Sequence, residues 1–318
     1  MELTAAIIDL GSNSVRMTIR RLFENGSYEV VDNRKTTVRL SEGMVCDCLL
    51  KEAPIGRTIA ALKEFKAVTE AHGASRVLAV ATAAVRAAKN GDAFLARVEA
   101  ETGIRFEVLC GADEAYYDYL GVINTTKLKD GAIVDVGGGS TEIIWVKNRE
   151  LKEAVSIPYG AVLLTERFSG RPESAAYRFF MQQLDNIPWI DELQGHDIYG
   201  IGGSARVAAM HCVKDYSYDS PETVRLQYRS LDNFYRMLLP LTPVERGLIP
   251  SVTPERGDII VGGLLPIKAL MDMLTSKSLY VCPFGLREGM FFRMKFENGI
   301  FKQGRKCFVS KHNYNNGI

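Results

Sequence analysis

Histidine is scarce in this sequence, and its cysteines are scattered. The four histidines (His72, His196, His211 and His312) stand alone and carry no evident chemistry. Of the six cysteines, Cys46 and Cys48 form a lone C-x-C, while Cys110, Cys212, Cys282 and Cys307 are isolated. A structural zinc site needs four ligands in paired spacing, and a disulfide framework needs a denser set in a shorter chain. The pattern argues against both and for reduced, mostly packed thiols. An excess of one charge is missing too. The 39 basic and 38 acidic residues leave a net charge of +1. No global field draws the protein to nucleic acid or an anionic membrane, so any anion site is local. No apolar stretch approaches the length of a membrane helix. An acid, Glu2, stands where a signal peptide carries its positive region. The expectation is a cytoplasmic protein with no nucleic-acid or membrane partner.

What the chain does have is an ordinary globular composition, 47% hydrophobic and 24% charged. Its 318 residues exceed the length at which one core keeps growing, so two domains are expected. Four segments share the grammar of an apolar strand, a small-residue turn and a second element. They are Ala5–Asp9, Val77–Ala81, Ala132–Val136 and Ile198–Ile201. Between them the spacing predicts helices: Ile59, Leu62, Phe65 and Val68 fall on one face, and a second helix beginning near Phe94 stops at Gly103. Short apolar strands alternating with helices predict an α/β fold.

An internal repeat is the most informative feature. Ile8-Asp-Leu-Gly-Ser-Asn-Ser14 and Val134-Asp-Val-Gly-Gly-Gly-Ser140 align as strand, Asp, apolar residue, Gly, two small residues and Ser. Each leads into a β-type run, Val15–Arg20 or Thr141–Val146, then a polar turn and a third strand. A single D-x-G turn between strands is common; two copies heading similar three-strand runs point to duplication. The polar stretch Asn124–Asp130 precedes the second copy, which places the domains at 1–124 and 125–318, with the C-terminal segment free to pack back on the first.

Gly11, Ser12, Asn13 and Ser14 can turn successive backbone N–H groups into one concavity, an anion nest. Gly137, Gly138, Gly139, Ser140 and Thr141 repeat it. Asp9 and Asp135 end the preceding strands, where a carboxylate repels phosphate unless a cation intervenes. Acid beside anion nest therefore implies Mg²⁺. Glu142 lies seven residues beyond Asp135 in an apolar strand, so it needs a cation, a hydrogen-bond partner or an edge position facing water.

Three further places are weaker alone. Arg86 and Thr82 follow a strand and open a helix, where Thr82 is an N-cap or phosphate ligand and Arg86 holds phosphate or simply lies at the surface. Glu114 sits in a first helical turn, where acids ordinarily complement the helix dipole. Gly202, Gly203 and Ser204 form a third glycine turn at a helix N-terminus, another phosphate or nucleotide site.

Together these residues resemble the exopolyphosphatase/guanosine-pentaphosphate phosphatase (Ppx/GppA) family of the actin–hexokinase–Hsp70 superfamily. The matching segments run in order: D-L-G-S-N-S at 9–14, V-A-T-A-A-V-R at 80–86, C-G-A-D-E-A at 110–115 and V-D-V-G-G-G-S-T-E at 134–142. S-I-P-Y-G-A-V-L-L-T-E-R-F at 156–168, G-I-G-G-S-A-R at 200–206, P-E-R-G-D-I-I at 254–260 and G-L-R-E-G at 285–289 follow. The resemblance implies two ribonuclease-H-like domains around a cleft, a homodimer, and hydrolysis of the terminal phosphoanhydride of inorganic polyphosphate or of pppGpp. It implies Glu114 as general base, Asp135 and Glu142 with Asp9 around Mg²⁺, and Arg86 against the phosphate. Cys110 departs from the family's serine and Gly257 from its alanine. Longer members carry a further histidine-rich helical domain, and ending at Ile318 implies a shorter polyphosphate track.

Removal of the 5′-phosphate of pppGpp to give ppGpp is the same chemistry with a different remote end. A non-catalytic (p)ppGpp or nucleotide sensor would keep the cleft, but has no use for a base aimed at the phosphate.

Overall fold

The computed structural model describes residues 3–217 and 220–297. The polar tail from Asn298, expected to fray, and Cys307 lie outside the described residues.

The first sheet holds β1 (Leu3–Leu10), β2 (Ser14–Leu22), β3 (Tyr28–Thr37), β4 (Arg76–Ala81) and β5 (Glu107–Val108). Its order is β3-β2-β1-β4-β5. β1 pairs antiparallel with β2 and parallel with β4, so it is central. Its run Ala5–Ile8 is fully buried, as a strand covered on both faces requires. Helix α1 (Glu52–Ala71) buries Ile55, Ile59, Leu62 and Phe65 against this sheet. The short α2 (Ala83–Ala87) follows β4, and α3 (Gly91–Thr102) ends at Gly103 in the left-handed conformation, φ 70°.

Helix α4 (Gly111–Ile123) leads to the second sheet, formed by β6 (Gly131–Val136), β7 (Thr141–Lys147), β8 (Glu150–Ile157), β9 (Ile198–Ile201), β10 (Val224–Gln227) and β11 (Ser278–Val281). Its order is β10-β11-β9-β6-β7-β8. Helices α5 (Ala161–Arg167), α6 (Glu173–Asp185), α7 (Gly202–Cys212), α8 (Tyr228–Leu238), α9 (Pro243–Gly247) and α10 (Ile260–Met273) belong to this half, and α11 (Leu286–Glu297) closes the described chain.

The sequence repeat is a structural repeat. Gly11 N donates to Ser14 O at 3.1 Å, and Gly137 N donates to Ser140 O at 3.0 Å. Both hairpins shift register ten residues after their aspartate, at Ile19/Arg20 and at Trp145/Val146. The two hairpins thus share turn, pairing and irregularity.

Two helices cross between the halves. Helix α4 precedes the second sheet in sequence but packs on it, with Ala115, Val122 and Ile123 among Ile133, Ile144 and Val146. Helix α11 returns to the first sheet, where Leu286, Met290 and Phe291 meet Ala5, Ile7 and Val80. The two helices lie close together because glycines face each other's backbone: a Cβ on Gly121 would fall 2.9 Å from the Gly285 Cα. Arg20 and Glu288 anchor α11 to β2 through a buried ion pair of 2.6 Å, and Arg287 Nη1 donates to Thr18 Oγ1 at 2.7 Å. On another side, Arg39 holds both carboxylate oxygens of Asp258, at 2.6 and 3.0 Å. No helix among the described residues is long and apolar enough to cross a membrane.

Candidate active site

The two glycine turns meet face to face. A Cβ on Gly139 would sit 2.5 Å from Ser12 Oγ and 3.0 Å from the Ala83 Cβ at the start of α2. Glycine is required there because the first turn and α2 occupy the space a side chain would fill. Ser12, Asn13 and Ser14 are buried, yet Ser12 Oγ and Asn13 Oδ1 have no hydrogen-bond partner within the protein. Buried polar atoms are normally partnered, so these two are available to a ligand. Ser140 and Thr141 are buried as well, with Thr141 Oγ1 donating to the Tyr159 carbonyl at 2.8 Å. The third turn joins the same place: Gly202 has φ +84° and lies against Asp135 Oδ1, where a Cβ would come within 2.5 Å. Ser204 is buried against Gly263 of α10.

Carboxylates surround this junction. Asp135 and Glu142 are direct cross-strand partners in β6 and β7, so their side chains share one face of the sheet. Glu142 is fully buried, which excludes the solvent-facing alternative. Its Oε1 accepts from Ser156 Oγ at 2.7 Å, and its Oε2 has no partner. Asp118, from α4, is fully buried with neither carboxylate oxygen partnered. Ligand atoms of Asp118, Asp135 and Glu142 all lie within 4.8 Å of one another. Burial, and then the mutual repulsion of the acids, raises the carboxyls of Asp118 and Glu142 well above the ordinary range. Burial likewise lifts Asp135 to about 6, against a lowering pull from Arg16. Carboxylates with unpartnered oxygens gathered this closely fit a metal ion, which can replace the missing partners.

Asp9 ends β1 beside these acids but outside the group of three. Burial raises its carboxyl, while Arg287 and Arg16 draw it down. Arg16 is its cross-strand partner.

Glu114 lies one helical turn before Asp118 and is 7% exposed. Arg86 Nη1 donates to Glu114 Oε2 at 3.0 Å and to the Leu109 carbonyl at 2.7 Å. The arginine therefore points inward rather than lying free at the surface. Thr82 occupies the N-cap position of α2, although its side chain makes no capping bond. Glu114 does more than complement a helix dipole. Burial pushes its carboxyl up to about 7 against the pull of Arg86, with Asp135 and Asp9 pushing the same way as burial. A carboxyl poised near neutrality, with a positioned cation beside it, suits proton transfer from water.

Asp118 escapes a reading by motif because it belongs to no glycine turn. The available signal was its spacing: acids at i and i+4 of one helix share a face, and Glu114 and Asp118 are so placed.

Two similar α/β halves with mixed sheets, paired hairpin turns facing across a site and acids at the strand ends define the actin–hexokinase–Hsp70 fold class. The model of the Ppx/GppA phosphatase family matches residues 21–297. The chain belongs to that family and is a phosphatase. Among its relatives, exopolyphosphatase 1 of Mycobacterium leprae (strain TN) is 28% identical over 302 residues, covering 90% of this chain and 88% of that protein. A Ppx/GppA family member from Aquifex aeolicus, solved by crystallography, is 30% identical with a TM-score of 0.76 and covers 94% of this chain and 99% of its own. An exopolyphosphatase structure from Cytophaga hutchinsonii, 23% identical, shares the fold with a TM-score of 0.85, over 92% of this chain and 98% of its own.

Proposed function

We propose that this chain is a Mg²⁺-dependent exophosphatase that removes the terminal phosphate of inorganic polyphosphate as orthophosphate. The observation that carries the reading is Glu114: buried, paired with Arg86, raised to about 7, and within electrostatic reach of Asp9 and Asp135 at the ends of both glycine turns. The M. leprae relative named for exopolyphosphatase supports the substrate. Activity inside the cell and as a homodimer belong to the same proposal, as does a division into lobes near residue 124.

The backbone N–H groups of Ser12–Ser14 and Gly138–Ser140, with the hydroxyls of Ser12 and Thr82, hold the terminal phosphates. Gly202 and Gly203 close the floor beside Asp135. Glu114 accepts a proton from a water molecule as its oxygen attacks the terminal phosphorus in line. The bond to the bridging oxygen breaks, and the shortened chain leaves with both electrons of that bond. Arg86 keeps Glu114 in place and lends positive charge to the transferring phosphoryl group. Mg²⁺, held by Asp135 and Glu142 with Asp9 nearby, would supply counter-charge to the phosphate oxygens.

The test is phosphate release from short polyphosphate, long polyphosphate, pppGpp and ATP, each with Mg²⁺ or EDTA. Metal-dependent release from polyphosphate, lost in Glu114→Gln while polyphosphate still binds, is expected. Undiminished release by Glu114→Gln would overturn the mechanism, and release from pppGpp alone would move the substrate to the nucleotide.

A further inference from the structure

Asp118 has no place in the scheme above, yet among the described residues it is a buried carboxylate left wholly unsatisfied. Both its oxygens are buried and without a hydrogen-bond partner. A carboxylate offers about four lone-pair sites, and leaving them all empty away from water is costly. Its near surroundings do not fill them: the Gly285 backbone approaches so closely that a Cβ there would lie 3.2 Å from Asp118 Oδ1, and Ile201 packs against the same glycine. Asp135 and Glu142 each carry an orphan oxygen as well, Oδ1 and Oε2. All three residues offer ligand atoms within 4.8 Å of one another. Oxygens on opposite sides of one ion stand about 4 Å apart around Mg²⁺ and about 5 Å around Ca²⁺, so this spread is the scale of one coordination sphere.

We propose that Asp118 is a direct ligand of the divalent ion and makes it a resident of the protein, bound before any phosphate arrives. The inference rests on the metal-dependent reading of the site. Mg²⁺ sites in phosphate-handling enzymes ordinarily use one or two carboxylates and complete the sphere with the substrate. A third buried carboxylate removes that dependence, because three negative charges retain a dication without help from phosphate. It also joins the ion to α4, one turn from Glu114, so the ion ties the base's helix to the turn of β6 and β7.

The experiment titrates the metal-free full chain with Mn²⁺, with no phosphate present, followed by electron paramagnetic resonance, calorimetry and thermal melting. The expected result is one tight Mn²⁺ per chain and a raised Tm on loading. Asp118→Asn should weaken Mn²⁺ binding by about tenfold or more and shrink the Tm shift on loading. Circular dichroism of the variant confirms that it is folded. Asp118→Asn binding Mn²⁺ like the parent, while Asp135→Asn does not, would overturn the inference and leave the phosphatase reading intact. Mn²⁺ bound only after polyphosphate is added would do the same. Metal-independent phosphate release would instead remove the reading on which the inference stands.

Discussion

Arg86 Nη1 donates to Glu114 Oε2 at 3.0 Å and to the carbonyl of Leu109 at 2.7 Å. One guanidinium therefore joins α2, behind the first glycine turn, to the segment that opens α4. It fixes where the carboxylate points and opposes the rise that burial imposes on it.

Phosphate release should rise with pH through a single step at or below 7, because Glu114 must be ionised to accept a proton, its carboxyl is raised to about 7 in the metal-free chain, and Mg²⁺ on the neighbouring acids would draw it down. Arg86 lowers that value, so Arg86→Ala should move the step to higher pH as well as reduce the plateau, by about a hundredfold or more. A rate profile from pH 5 to 9 for both proteins checks this. A plateau loss with an unmoved step would mean that Arg86 acts on phosphate alone.

The metal-free chain should lose stability as pH rises from about 4 to 7. Glu114 and Asp135 are raised to about 7 and about 6 from ordinary values of 4.5 and 3.8. Carboxyls raised in the folded state bind protons more tightly there, so their contribution is complete below the unfolded values and is lost through the folded ones. Melting in EDTA should show Tm falling across this window. Adding Mg²⁺ should flatten the dependence by several degrees.

Gly139→Ala should damage the site more than the fold. The new methyl would meet Ser12 Oγ at 2.5 Å and the Ala83 Cβ at 3.0 Å, forcing the two turns apart. Overpacking of this kind costs about 1–3 kcal/mol. The expected result is a modest Tm loss with a large fall in kcat/KM for polyphosphate, measured beside Gly170→Ala, where nothing lies within 4 Å. Gly170 has φ +74°, so that control carries a small backbone penalty of its own without touching the turns.

Glu288→Ala should destabilise the whole molecule. Glu288 pairs with buried Arg20 at 2.6 Å and accepts from Gly285 N at 3.0 Å. Its removal strands a buried guanidinium, at a cost of about 3–5 kcal/mol, and loosens α11 from β2. Chemical denaturation gives the value. A change below about 1 kcal/mol would show that stacking of Arg20 over the Phe291 ring, 4.7 Å away, suffices to hold it.

The hairpins were legible without coordinates because their signals are local. A buried apolar strand, an aspartate and a glycine turn follow one another along the chain, and backbone sterics permit few shapes for that order. The repetition at Asp9 and Asp135 then makes two facing halves, and the α/β alternation makes the sheets. The solvent exposure of Glu142, Glu114 and Arg86 was not legible, since each sits in a local context compatible with either surface or interior.

Tertiary structure decided those cases. Glu142 is inward because Asp135 opposes it across the hairpin, and Glu114 is raised toward neutrality because α4 leaves the half that precedes it and lies against the second sheet. Asp118 shares a helix face with Glu114 in the sequence, but only the folded chain brings one of its ligand atoms within 4.8 Å of those of Asp135 and Glu142, from two strands. Arg20 and Glu288, 268 positions apart, meet only because α11 folds back on the first sheet. Sequence by itself determined the backbone turns, whose energetics are decided within a few residues. Burial and charge at the site depend on neighbours distant in the chain, and only the assembled fold supplies them.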